Sequence, residues 1–133
     1  MNKTKVMVVD DNPEIRLFFK NVLDFLKYDS VIAENGIEAL KLFKDVNPDI
    51  VFLDINLPFI DGFEILSRMR HLDAERETPI IMISGMEEQT TACQAMKLGA
   101  YDFLSKPIDF DSIKLVCEKA VHKFDKITAD CEV

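Results

Sequence analysis

No two of the three cysteines, Cys93, Cys117 and Cys131, stand in a CxxC spacing, and an odd number cannot all pair. A zinc knuckle and a disulfide framework are both excluded, and a reducing cytoplasm is the expected compartment. Basic residues are also scarce. Sixteen Lys and Arg against 24 Asp and Glu leave a net charge of −8, and the pI is near 4.7. Nonspecific attraction to nucleic acid or to anionic lipid needs the opposite sign, so no direct nucleic-acid contact is expected. Long apolar runs are missing as well. The N-terminal MNKTKVMVVDD is apolar for only four residues before two acids, too short for a signal-peptide core or a membrane span. Neither a G-x-G-x-x-G nor a P-loop occurs, which argues against a nucleotide-binding domain. No repeat or low-complexity tract interrupts the chain.

What is present is a regular alternation. The chain has 133 residues, 48% of them hydrophobic, enough for one domain with a sizeable core. Short runs rich in β-branched or aromatic residues, 6 to 9, 30 to 33, 50 to 53, 79 to 84 and 101 to 105, have the length of strands. Helix-period stripes lie between them: Ile15, Phe19, Val22 and Leu26; then Ala39, Leu40, Phe43 and Val46; then Phe63, Leu66 and Met69; finally Ile113, Val116, Cys117, Ala120 and Phe124. A softer stripe of Ala92, Ala95 and Met96 predicts a more mobile helix over 87 to 98. Asp11 or Asn12 before Pro13, Asn35 before Gly36, and Asp61 before Gly62 are cap signals. Residues 125 to 133 read as a tail.

Five strands alternating with five helices imply a parallel sheet covered on both faces, because each parallel connection is a right-handed crossover. The common order in such a flavodoxin-like, doubly wound α/β domain is 2-1-3-4-5, with ligands beyond the carboxyl ends of the strands at the switch point. Under that order Asp10-Asp11, Asp54, Ser84-Gly85 and Ser105-Lys106-Pro107 converge on one edge. The run IVFLD then has a purpose: a buried rod that holds one carboxylate at an exposed tip. Three close carboxylates repel by roughly 4 kcal/mol per pair at an effective dielectric near 20. Lys106 offsets part of this, and a hard dication with oxygen ligands, Mg²⁺, suits the rest. Asp54 could then stay ionised as a nucleophile toward a phosphoryl group, with Lys106 and the Ser84 hydroxyl on its oxygens.

The ordered set VVDDNPEIR, FLDINLPFIDG, IMISG and FLSKPI resembles the receiver domains of two-component response regulators, over about residues 4 to 124. The resemblance implies that Asp54 is the phosphoacceptor and that Asp10 and Asp11 bind Mg²⁺ directly or through water. Asn56 would offer its backbone carbonyl to the metal. Ser84 occupies the place of the hydroxyl that swings toward the phosphoryl group, Lys106 precedes a proline that is typically cis-linked, and Phe103 holds the place of the aromatic switch. Plain core packing explains Phe103 equally well. Pro58 and Gly62 match the loop after the acceptor. The apolar Met86, where this family tunes self-dephosphorylation, is expected to hinder a hydrolytic water.

The implied partners are a histidine kinase or histidine phosphotransfer domain, and a downstream protein or output domain not identified by the sequence; homodimerisation is left open. Phe18 and Phe25 flank the first stripe. They read either as partial burial against a neighbouring helix or as part of a docking face for the phosphodonor. His71, His122 and the cysteines have no ligand-spaced partners. Such a module promotes its own phosphorylation and dephosphorylation without being a dedicated turnover enzyme. Two other classes compete. A haloacid-dehalogenase-like phosphatase would want DxD where Asn56 stands, and an unphosphorylated scaffold would not need the full set of acids, hydroxyl and lysine. With no effector domain legible after the last helix, the chain is expected either to stand alone or to be the receiver portion of a longer protein.

Overall fold

The computed structural model describes residues 3–73, 77–85 and 89–121. Met86, His122, Phe124, Cys131 and the tail over 125–133 lie outside the described residues. Five strands alternate with five helices: β1 (Lys5–Val9), α1 (Pro13–Phe25), β2 (Asp29–Ala33), α2 (Gly36–Val46), β3 (Ile50–Asp54), α3 (Gly62–Leu72), β4 (Ile80–Ser84), α4 (Gln89–Lys97), β5 (Asp102–Ser105) and α5 (Phe110–Val121). The sheet is parallel throughout, in the order β2-β1-β3-β4-β5. The expected fold class and strand order are both found.

The strands are buried according to their place in the sheet. β3 and β4 are buried at every residue, and β1 at every residue after Lys5. A central strand covered on both faces must be apolar at consecutive positions, which is why these three read as unbroken runs. Successive side chains point to opposite faces. Met7, Val9, Val51, Leu53, Ile80 and Met82 meet Ala39 and Phe43 of α2, Ile65, Leu66 and Met69 of α3, and Ala95 of α4. Val6, Val8, Ile50, Phe52, Ile81 and Ile83 meet Phe19, Val22 and Leu23 of α1 and Ile113, Val116 and Cys117 of α5. One apolar layer thus lies on each side of the sheet. Leu23 and Ile65 are fully buried although neither belongs to the stripes read from sequence. Met96 departs the other way: it is 49% exposed, and of the expected α4 stripe only Ala95 is fully buried.

Three helices start on the expected side-chain caps. Asn12 Oδ1 accepts from the Glu14 N–H, Asn35 Oδ1 from Glu38, and Asp61 Oδ1 from Glu64, at 2.9, 2.9 and 3.0 Å. Asn12, not Asp11, is therefore the cap of α1, which leaves the Asp11 carboxylate free for other use.

Candidate functional site

The parallel register brings four strand ends together. β1 ends before Asp10 and Asp11, β3 ends on Asp54, β4 on Ser84, and β5 just before Lys106 and Pro107. The Lys106 N–H donates to the Ser84 carbonyl at 2.7 Å, and the Ile55 N–H to the Ile83 carbonyl at 2.9 Å, so the pairing continues past the strands. The Lys106–Pro107 peptide is cis. The loop after β3 folds back at once: the Gly62 N–H donates to the Ile55 carbonyl at 2.8 Å. That return needs a glycine, since a Cβ at position 62 would sit 2.5 Å from both the Asp54 carbonyl oxygen and the Ile55 Cα.

Asp10, Asp11 and Asp54 each offer an oxygen within 4.8 Å of the others. Lys106 Nζ donates to Asp54 Oδ2 at 3.2 Å and lies 3.5 Å from Asp10 Oδ2. Asp54 Oδ1 accepts from the Asn56 N–H at 3.1 Å, and Asp10 Oδ1 from the Asn12 N–H at 2.9 Å. Asp10 Oδ2 is buried and accepts no hydrogen bond, its ion pair with Lys106 lacking the geometry of one. Burial first, and the neighbouring Asp10 charge second, push the Asp54 carboxyl up from 3.8 to about 6; the Asn56 N–H and the Lys106 ammonium pull against that rise. For Lys106 burial works against the charge, but the carboxylates of Asp54 and Asp10 outweigh it and the pKa is raised.

In one respect the sequence reading is corrected. Asp54 was expected at an exposed tip, yet it is 1% exposed, as are Asp10 and Ser84. Adjacent loops close around the end of the central strand and Lys106 reaches over it, so only Asp11 of the three acids stands in solvent. Asn56 is exposed as well. Phe103 is half-buried and packs against the α2–α3 side of the core, away from the acids' immediate contacts. Sequence reasoning missed Arg16, whose Nη1 donates to the Asp10 carbonyl at 2.9 Å. A guanidinium reaching back to a main-chain oxygen leaves no trace in hydrophobic periodicity.

Beside Lys106 opens a groove of about 500 Å³ lined by Glu14, Ile15, Phe18, Gly85, Pro107 and Ile108. Phe18 is thus part of its wall. Phe25 is not: its ring meets Phe110 edge-on at 5.4 Å and stays 73% exposed.

An all-oxygen donor set with one buried, unsatisfied oxygen is the chemistry of a hard dication, and the residues present fit Mg²⁺. No helix among the described residues is long and apolar enough to cross a membrane. Comparison with known proteins agrees with the geometry. The family model for the response regulator receiver domain matches residues 6–118. The chain is 39% identical to the chemotaxis protein CheY of Listeria monocytogenes, over 87% of this chain and 97% of that protein. It is 34% identical to the regulatory protein AtoC of Escherichia coli over 88% of this chain, and spans only 25% of that longer relative. Among solved structures, the receiver domain of NtrX from Brucella abortus superposes with a TM-score of 0.82 at 35% identity, covering 88% of this chain and 98% of that one. With a matched segment that runs from β1 to α5 and carries every strand end of the acid cluster, the chain belongs to the response regulator receiver domain family of two-component systems.

Proposed function

We propose that the chain is a phosphorylation-controlled switch that accepts a phosphoryl group on Asp54 from a phosphohistidine of a histidine kinase or histidine phosphotransfer domain. The observation that carries this reading is the contact of Asp54 Oδ2 with Lys106 Nζ at 3.2 Å inside a cluster of three acids. An Asp54 oxygen attacks phosphorus, the P–N bond to the donor imidazole breaks, and the imidazole nitrogen leaves with the electron pair and takes up a proton. The product is an acyl phosphate.

Asp10, Asp11, Asp54 and the Asn56 carbonyl would hold Mg²⁺, which when bound neutralises charge on the carboxylates and on the incoming phosphoryl oxygens. The Lys106 ammonium moves from the carboxylate to one phosphoryl oxygen, and the Ser84 hydroxyl turns to donate to another. Phe103 follows into the space Ser84 vacates. Its ring is half-buried and packs against the α2–α3 layer, so it starts next to the core rather than in solvent. The result is a shift in a two-state equilibrium that alters the face made by α4, β5 and α5, which a downstream protein or output domain reads. The groove beside Lys106, walled by Ile15 and Phe18, suits the apolar flank of a phosphodonor helix.

Intact mass after incubation with acetyl phosphate tests this directly. Wild type should gain one Mg²⁺-dependent phosphoryl adduct and Asp54→Asn none; an adduct that persists in the variant would remove Asp54 from the role.

A further inference from the structure

The start of α1 and the end of β1 close on Asp10 from several sides. Its N–H donates to the Ala33 carbonyl at 3.2 Å, its Oδ1 accepts from the Asn12 N–H at 2.9 Å, and its carbonyl oxygen accepts from Arg16 Nη1 at 2.9 Å. Only Oδ2 is left without a hydrogen bond. Arg16 is itself anchored, its N–H donating to the Asn12 carbonyl at 3.1 Å. Its side chain is 18% exposed, and its other terminal nitrogen lies 3.8 Å from Oε1 of the largely solvated Glu34. A guanidinium beside a carboxylate ordinarily forks onto it. Here its shortest bond goes instead to the main chain of a residue whose side chain faces the acid cluster.

We propose that Arg16 is a positioning residue for the divalent-cation site, fixing the Asp10 peptide so that Oδ2 points into the cluster. The proposal rests on the Mg²⁺ reading given above. Two effects of removing Arg16 oppose each other. Loss of a positive charge near three acids favours a cation, whereas loss of the brace lets the ligand drift. Glu34 already neutralises part of that charge at the surface, and long-range effects there are screened. Misplacement of a ligand is not screened. Removing the groups that orient metal ligands typically costs roughly 10-fold to 100-fold in metal affinity, so the net effect is weaker binding.

Calorimetric titration of the unphosphorylated full chain with MgCl₂ tests the idea. Arg16→Met, which keeps the apolar stem, is expected to bind Mg²⁺ about 10-fold more weakly than wild type. Arg16→Lys, with a compact ammonium in place of the fork, should lose less, about 3-fold. In acetyl phosphate labelling the half-saturating Mg²⁺ should rise by the same factors while the rate at saturating Mg²⁺ is kept. A purely structural role would lower the melting temperature in EDTA and leave the affinity of the folded protein unchanged; that result, or tighter binding, overturns the proposal. Should the methionine variant fail to fold, the lysine variant decides, and wild-type affinity there overturns it too. Absence of Mg²⁺ binding by wild type would instead sink the metal reading itself, before any variant is compared.

Discussion

Asp54 is held in a protonation state that the folded protein resists. Its carboxyl titrates near 3.8 when unperturbed and is pushed to about 6 by burial and by Asp10. Below about pH 4 both folded and unfolded chains carry the proton, and the residue does not oppose folding. As pH rises from there the unfolded chain ionises first, and above about pH 6 the full penalty applies, on the order of 3 kcal/mol. Asp54→Asn is therefore expected to raise the melting temperature by several degrees in EDTA at about pH 8. Near pH 4 the gain should vanish. Scanning calorimetry at the two pH values checks it, and an equal gain at both would mean that the charge is not the cause. At this scale the sequence names the acids but not their surroundings. That Asp54 would be covered follows from the reach of Lys106 and the fold-back at Gly62, contacts of 52 and eight residues' separation that no local pattern encodes.

At the scale of elements, legibility tracks how many faces are covered. The three central strands were plain because consecutive apolar residues have no other use. Leu23 and Ile65 were missed because each stands next to a stripe residue, Val22 or Leu66, and a helix wedged against a sheet buries a wider arc than one line of side chains. The junction of β3 with α3 gives a sharper expectation. A methyl group at position 62 would press on the Asp54 carbonyl, so Gly62→Ala should cost about 1 to 3 kcal/mol in urea unfolding and also slow labelling by acetyl phosphate. A variant with wild-type stability would show that the junction can yield. In α1, Phe18 is 38% exposed on the wall of the groove. Phe18→Ala should slow phosphotransfer from an autophosphorylated histidine kinase several-fold more than it slows labelling by acetyl phosphate. Equal slowing of both reactions would remove the groove from donor docking.

The whole molecule separates its labour by direction. Apolar layers flank the sheet on both sides, while the acids sit at one end of it. A cation bound only by the folded chain stabilises it by mass action, about 3 kcal/mol at 100 times its dissociation constant. MgCl₂ should accordingly raise the melting temperature of wild type and do so far less for Asp10→Asn; identical shifts in the two proteins would place the bound ion elsewhere. Strand order has a last consequence, for the chain as it is made. The acids just after β1 and at the end of β3 are translated first, and the ammonium that tempers them comes only after β5, at position 106. A nascent chain halted before Lys106 carries the anions without their counterweight, so protection of its β3 amides from solvent exchange should lag until that lysine emerges.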